Sequence, residues 1–391
     1  MRRFYQPYLD FLKLPDVAAL FLVAAVSRMP ISMTALALTL YLRVTLGDFA
    51  KAGIVVGAYF VAIALVGPVL GRLIDRIGPR LPLLVTGWSQ PFVLTGVFAA
   101  AHWQLGFPVV LAAAIFAGLL PPPITILTRT LWRYRFADEA DRRMAYSLDS
   151  VMTELNFTLG PAITGLLVAL TSAHITLVIA IVCNFLAFLL FLNSRSLAYW
   201  KPEKNGGERH WLGPLTDGRL VAYFCLGFGL TFCLGLFEVG YPAYAIASPA
   251  LAGLLIALNG LGSAFGGALY GTWQSNKTVE QQYAWALTFL IVPFVLHALL
   301  PQLAVFIVVA FVGGFAIAPA LTSVTLMTTK RAPALYATEA LTWSSTFIIS
   351  GLGAGMGAAG YIIETFSLTT MFWVGAGVVG TMALCAWLMK E

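Results

Sequence analysis

Long apolar segments alternate with short polar ones along the whole chain. Each apolar segment has about the 20 residues that an α-helix needs to cross a bilayer. Within a segment the apolar positions are continuous, without the two-residue alternation of a transmembrane β-strand. We therefore predict an all-α membrane protein with twelve spanning helices. Their predicted ranges are 16–42, 50–71, 81–101, 107–129, 145–171, 174–194, 219–245, 248–273, 283–300, 303–328, 335–361 and 366–388.

The longest polar interruption, 195–218, separates six predicted helices from six others. It is rich in Lys, Glu, Asn and Gly, a composition typical of a flexible linker. The sequence therefore predicts an N-terminal six-helix bundle over 1–194, a cytoplasmic linker over 195–218 and a C-terminal six-helix bundle over 219–391.

Two registers relate the halves and indicate an internal repeat. At an offset of 200 residues, the second and eighth helices align small residues, namely Gly53, Gly57, Gly67 and Gly71 with Gly253, Ala257, Gly267 and Gly271. At an offset of 190, the fifth and eleventh helices align Tyr146, Asp149, Phe157 and Gly165 with Tyr336, Glu339, Phe347 and Gly355.

The amino-acid composition excludes a soluble globular protein and a disordered one. Of the 391 residues, 60% are hydrophobic and only 10% are charged, whereas soluble domains carry about 25% charged residues. Such a chain cannot cover a water-exposed surface, and its high hydrophobicity is the opposite of a disordered composition. The scattered cysteines and histidines form no spaced pair or cluster typical of a metal site. We expect no metal and no cofactor.

The net charge of +6 is better explained by membrane topology than by binding to an acidic partner. With the N-terminus placed inside, 20 of the 23 lysines and arginines fall at the termini or in the even-numbered loops. Because basic residues are enriched in cytoplasmic loops, we predict that both termini are cytoplasmic. The chain is then a multi-pass protein of the inner (plasma) membrane, with the lipid bilayer and not nucleic acid as its surroundings.

The second loop, residues 71–80, has the sequence Gly-Arg-Leu-Ile-Asp-Arg-Ile-Gly-Pro-Arg. It resembles the loop between the second and third helices of the major facilitator superfamily, with Gly71, Asp75, Arg76, Gly78 and Arg80 at matching positions. Pro79 replaces a residue that is often basic. The resemblance implies a secondary transporter of two six-helix bundles, with a substrate site between them near the membrane midplane. It also implies that Asp75 and Arg76 act as a cytoplasmic gate between the second and eleventh helices.

The fifth helix contains a second pattern, formed by Gly160, Pro161 and Gly165. It resembles the Gly-Pro element of the proton-coupled exporters of this family, although Asn156 and Thr164 stand where glycines are common. The resemblance favours efflux in exchange for protons. The alternative interpretation is a proline-kinked helix with small residues for close packing.

Charged residues inside apolar segments are expensive unless they are paired or hydrated. Arg28 in the first helix and Glu154 in the fifth are expected at similar depths, so we predict that they form a buried pair, either as a proton-coupling element or as a permanent structural pair. Glu238, near the outer end of the seventh helix, is a further proton-coupling candidate, or a hydrated residue at the outer mouth. Asp149 and Glu339 are predicted at the cytoplasmic ends of their helices, as hydrogen-bond acceptors or partners of loop arginines.

Polar residues near prolines mark candidate positions along a cavity, because transporters expose broken helices there. The candidates in and near the first, fourth and tenth helices are Ser32, Thr125, Thr128, Arg129, Thr322 and Thr325.

These features favour a transporter that works by alternating access and uses a proton gradient to export a small organic or amphiphilic compound. A proton-coupled importer of a sugar, organic acid or vitamin is the alternative, and an integral-membrane enzyme is a remote one. We expect no enzymatic activity, and a monomer suffices for the mechanism.

Overall fold

The computed structural model describes residues 11–136, 138–200, 213–272, 276–332 and 337–389. Within these ranges the regular structure is helical, with fourteen α-helices and two short 3₁₀ helices, Arg195–Tyr199 and Gly213–Thr216. The first seven α-helices are α1 Val17–Leu46, α2 Phe49–Ile77, α3 Arg80–His102, α4 Phe107–Gly118, α5 Ile124–Arg135, α6 Glu139–Leu170 and α7 Ala173–Leu192. The other seven are α8 Gly218–Tyr244, α9 Pro249–Thr272, α10 Val279–Leu299, α11 Leu303–Gly314, α12 Ile317–Arg331, α13 Ala337–Thr365 and α14 Leu368–Leu388.

Ten helical segments in the described part of the chain are long and apolar enough to cross a membrane, with Leu303–Arg331 counted as one. Two shorter apolar helices, Phe107–Gly118 and Leu155–Leu170, accompany them. The prediction of an all-α membrane protein is confirmed. The number twelve stays a prediction.

The predicted fourth span, 107–129, is divided into α4 and α5. Three consecutive prolines, Pro121 to Pro123, separate the two helices. Proline lacks the N–H that a helix interior needs and disfavours helical backbone at the preceding residue, so the helix ends at Gly118 and begins again at Ile124. The predicted tenth span is similarly interrupted between Gly314 and Ile317.

The fifth predicted span also begins earlier than expected, at Glu139 instead of residue 145. Its first residues are polar and charged, so apolar periodicity does not mark its start. The earlier start places Asp149 ten residues inside α6, which is about 15 Å along the helix axis. The prediction that Asp149 lies at a helix end is therefore wrong.

Side-chain contacts show which helix ends lie together. The end of α1, the end of α3 and the start of α7 meet through Tyr41, Phe98 and His174, and the end of α8 meets the start of α11 through Tyr244 and Phe306. We call this side the odd-loop end; it contains residues 47–48, 103–106, 171–172, 245–248, 300–302 and 366–367. The opposite side, with residues 11–16, 78–79, 193–200, 213–217, 276–278 and 389, is the termini end.

Helices α1 to α7 pack among themselves, and so do α8 to α14. The main contacts between these two halves are α2 against α13 and α6 against α9. One apolar core continues through both halves, from Leu36 and Tyr41 to Phe294 and Phe372. Many large apolar side chains face outward, among them Leu22, Phe92 and Leu170, as expected for helices in contact with lipid.

Candidate functional site

The crossing of α2 and α13 depends on glycines. A Cβ atom on Gly53 would overlap the carbonyl oxygen of Met356, and one on Gly57 would overlap that of Gly353. Closer to the odd-loop end, a Cβ on Gly360 would overlap the carbonyl oxygen of Phe49. Small residues allow two helix backbones to approach this closely, so side chains larger than hydrogen are excluded from the crossing.

The crossing of α6 and α9 is built in the same way. Gly165 and Gly253 face each other, and a Cβ on either one would approach within 2.9 Å of the other's Cα. The same Cβ atoms would lie even closer to carbonyl oxygens, at 2.6 Å from that of Pro249 for Gly165 and at 2.5 Å from that of Pro161 for Gly253. Gly53, Gly165 and Gly253 are positions of the internal repeat, so repeat-related glycines occur at both crossings between the halves.

The packing of the two halves loosens toward the termini end. Near the middle of α2, Thr346 of α13 donates a hydrogen bond of 3.4 Å to the carbonyl oxygen of Ala64. Farther along α2, a Cβ on Gly67 or Gly71 would have no described atom within 4 Å. Among the described residues, the close contacts between the halves therefore lie toward the odd-loop end, and none is made by α2 at Gly67 or Gly71.

A buried ion pair joins α1 to α6 within the N-terminal half. The Arg28 guanidinium donates two hydrogen bonds to the Asp149 carboxylate, at 2.7 and 3.3 Å. It also donates to the hydroxyl of Thr153 and to the carbonyl oxygen of Ala24. The indole of Trp132 on α5 donates to Asp149 at 2.9 Å. Every polar group of this pair is thereby hydrogen-bonded, which a charge pair buried in a helix bundle requires.

Among the described residues the partner of Arg28 is Asp149, a pairing that the sequence did not predict. Arg28 lies eleven residues after the start of α1 and Asp149 ten after the start of α6, so the two side chains leave parallel helices at nearly equal depth. Glu154 is five residues, or about 7.5 Å, farther along α6. The side chain of Glu154 lies outside what the structure describes, and its pairing stays a prediction. Trp132 is a site residue that sequence reasoning missed.

Polar contacts also fasten the motif of the fifth predicted span to α1. Gly160 packs directly on the Ser32 side chain. Ser32 in turn donates a hydrogen bond of 2.8 Å to the carbonyl oxygen of Asn156, and the Asn156 amide donates to the carbonyl oxygen of Ala25 at 3.0 Å. Pro161 lies one residue later, inside α6. These residues therefore form a close helix contact on one side and the α9 crossing on the other.

The loop that resembles a gate motif joins α2 to α3 at the termini end. Gly78 has a φ angle of 89°, in the region that glycine adopts without strain, and Pro79 precedes the first helical residue of α3. Arg76 and Arg80 are exposed. The side chain of Asp75 lies outside the described residues, so its role in a gate stays a prediction.

Glu238 lies in α8, six residues before the end of the helix, or about 9 Å from the odd-loop end. It is half-buried, and no hydrogen bond or ion pair joins it to another described residue. Three residues later, the buried hydroxyl of Tyr241 lacks a hydrogen-bond partner among the described residues, as does the Nε2 atom of His297. The rings of Tyr241 and His297 are 5.6 Å apart, and Phe372 stacks on His297 at 5.0 Å.

The remaining candidate site residues differ in how deeply their side chains are buried. Thr128 is fully buried and Ser32 is 6% exposed, so neither lines an open cavity in this structure. Thr322 and Thr325 are exposed and Thr125 is half-buried. The side chain of Arg129 lies outside the described residues. Glu339, in the first turn of α13, has one buried oxygen without a partner among the described residues.

Comparison with known proteins agrees with this architecture. The family model described as Major Facilitator Superfamily matches residues 20–247, more than half of the chain. The structure is similar to a point mutant of the nucleoside transporter NupG, with a TM-score of 0.77 and 15% identity, over 95% of this chain and 99% of the other. It is also similar to a point mutant of the peptide transporter POT in complex with alafosfalin, with a TM-score of 0.72, 14% identity and 95% of both chains covered.

A third similar structure is the human organic anion transporter MFSD10 (TETRAN), with a TM-score of 0.64 and 17% identity over 95% of this chain and 98% of the other. At these identities the similarity describes the fold alone. No curated protein sequence shows significant similarity to the chain.

Proposed function

We propose a mechanism for this chain, which belongs to the major facilitator superfamily: secondary active transport by alternating access. Membership of this family identifies the chain as a transporter and not an enzyme. The observation that carries the mechanism is the asymmetry of the contact between the halves. Toward the odd-loop end their helices touch backbone to backbone, whereas a Cβ atom on Gly67 or Gly71 of α2 would meet no described atom within 4 Å. This is the arrangement expected of one of two access states.

In this proposal the chain crosses the membrane twelve times, with α4 and α5 as one span, α11 and α12 as another, and bundles of residues 1–194 and 219–391. The termini end faces the cytoplasm, because 20 of the 23 basic residues belong to that end in the twelve-span arrangement. The structure then corresponds to a cytoplasm-open state. The predicted linker 195–218, of which 201–212 lie outside the described residues, connects the bundles on the cytoplasmic side in this proposal.

We further propose that protons drive the cycle and that Glu238 binds one of them. A carboxylate within a membrane-spanning helix is costly when it is charged and unpaired. Glu238 has no hydrogen bond or ion pair to another described residue, so protonation relieves this cost without breaking an existing pair. Asp149, by contrast, accepts three hydrogen bonds and is matched by Arg28, which supports a structural role for that pair.

Exchange of protons for a small organic or amphiphilic compound is the transport direction we propose, on the partial match of Gly160, Pro161 and Gly165 to the exporter pattern. The related folds belong to a nucleoside transporter, a peptide transporter and an organic anion transporter. Since these substrates differ in charge and size, a substrate panel must include cationic, neutral and anionic compounds.

The test is transport in proteoliposomes with an imposed proton gradient. We expect export that depends on the gradient, that is lost in Glu238→Gln, and that persists in Glu280→Gln. Glu280 is a matched control because it lies in the first turn of α10 and accepts a hydrogen bond from Tyr223 at the termini end. Glu154→Gln is measured in parallel to test the sequence prediction. Gradient-driven uptake would favour the importer, and unchanged coupled transport by Glu238→Gln would refute the proton-binding role.

A further inference from the structure

The carboxylate of Glu364 connects the two halves at the odd-loop end. Glu364 is the penultimate residue of α13 in the C-terminal half, and its Oε1 atom accepts a hydrogen bond of 2.6 Å from the backbone N–H of Phe49 in the N-terminal half. Phe49 is the first residue of α2. The carboxylate therefore occupies the N-terminus of a helix that belongs to the other half.

The electrostatics of the two helix ends favour the contact of Glu364 with the start of α2. The position of Glu364 at the end of α13 is, by contrast, unfavourable. The last turn of a helix carries partial negative charge, which disfavours an acidic residue, whereas the first turn carries partial positive charge and unpaired N–H groups. Glu364 reaches from the unfavourable end of α13 to the favourable end of α2. A hydrogen bond to an ionised acceptor is also stronger than a neutral one.

A second carboxylate at the same helix end provides a comparison. Asp48 accepts a hydrogen bond of 2.6 Å from the Lys51 backbone N–H and pairs with the Lys51 ammonium at 2.8 Å. Asp48 and Glu364 thus satisfy different N–H groups in the first turn of α2. Asp48 belongs to the same half as α2, so of these two carboxylate contacts only that of Glu364 has to break when the halves separate at this end.

The surroundings of the contact are consistent with a closed joint. Phe49 is buried, with the Arg43 guanidinium 5.5 Å from its ring centroid. One turn before Glu364, Gly360 packs against the carbonyl oxygen of Phe49. The described charged groups that these contacts place beside Phe49 are Arg43, Asp48 and Lys51, all from the N-terminal half.

We propose that Glu364 is a latch that stabilises the state closed at the odd-loop end. This inference rests on the proposed alternating-access cycle. In that cycle, opening the odd-loop end breaks the hydrogen bond to Phe49 and returns the Glu364 carboxylate to the last turn of α13. The latch biases the resting protein toward the state open at the termini end.

The test measures distances between spin labels in a variant without the four native cysteines. One pair, at Leu105 and Gln302, reports on the odd-loop end, and a second pair, at Leu81 and Lys330, reports on the termini end; all four positions are exposed. We expect Glu364→Ala to lengthen the first distance and shorten the second, with a change of roughly tenfold in the ratio of the two states, equivalent to about 1.4 kcal/mol. Glu364→Gln is expected to give a smaller change in the same direction.

The matched control is Asp48→Asn, which removes a carboxylate from the same helix end without touching the contact between the halves. A distance ratio that does not change in Glu364→Ala, or that changes equally in Asp48→Asn, would overturn the latch. If the unaltered protein shows a single distance at both ends under every gradient, alternating access itself fails. That result is distinguishable from failure of the latch, in which two distances appear but do not respond to Glu364.

Discussion

The ion pair between Arg28 and Asp149 allows the sharpest quantitative prediction. Both residues are less than a tenth exposed, and Asp149 accepts from two nitrogens of Arg28 and from the indole of Trp132. The substitution Asp149→Ala removes both acceptor oxygens and with them all three hydrogen bonds. Of its described partners, the guanidinium then keeps the Ala24 carbonyl and the Thr153 hydroxyl.

Removing one partner of a buried pair leaves a buried charge, which costs about 3–5 kcal/mol. We therefore expect Asp149→Ala to lower the free energy of unfolding by about that amount. Asp149→Asn keeps one oxygen acceptor but no charge, so a loss of about 2 kcal/mol is expected. The double variant Arg28→Met with Asp149→Leu removes both charges. It should be more stable than Arg28→Met alone or Asp149→Leu alone.

The assay is unfolding of the purified protein in mixed micelles, followed by tryptophan fluorescence. It compares the wild type, Arg28→Met, Asp149→Leu and the double variant, with Asp149→Ala and Asp149→Asn measured in parallel. The double-mutant cycle isolates the interaction energy of the two side chains. We expect a coupling of at least about 2 kcal/mol. Losses that simply add would refute the argument, because they would mean that neither side chain depends on the other for its charge balance.

Three further predictions concern the helix ends and crossings. Gly67→Ala, whose added Cβ meets no described atom within 4 Å, is the control for the two glycine substitutions. Gly57→Val should push α13 away and favour the state open at the odd-loop end, measured as a longer distance between labels there; an unchanged distance would contradict the crossing geometry. Burial would raise the pKa of Asp217, but the Arg331 guanidinium and two backbone N–H groups outweigh it and lower that pKa. The stability from this contact is therefore present at neutral pH and lost as the pH falls below about 4. An acid-unfolding curve of the wild type should show this loss, and the curve of Asp217→Asn should lack it. Identical curves for the two proteins would argue against a stabilising role of the Asp217 carboxylate. Gly78→Ala places a side chain at a φ of 89° and should cost about 1 kcal/mol in thermal unfolding, whereas the control should not.

The tertiary structure corrects the sequence prediction in two places where the apolar pattern and the helix boundaries do not coincide. The start of α6 is polar, so the pattern placed it six residues late and assigned Asp149 to a helix end. The pairing of Arg28 with Asp149 was therefore not predicted. At the prolines 121–123 the hydrophobic pattern continues while the backbone does not, so one predicted span is two helices.

The sequence by itself determined the environment and the family of this protein. Its continuous apolar segments require lipid, and the residues from Gly71 to Arg80 carry the family pattern. The repeat-related glycines also marked the helices that cross between the halves, although not which helix faces which. Those properties follow from the local hydrophobic pattern and from the solvation of the side chains, both of which can be read from the sequence.

Only the tertiary structure decided which groups far apart in sequence meet. The contacts of Asp149 with Arg28, of Gly165 with Gly253 and of Glu364 with Phe49 join residues separated by 121, 88 and 315 positions. Helix depth, crossing position and the state of the cycle select these partners. A hydrophobic pattern contains none of the three, because it specifies what each helix buries and not which neighbour covers it.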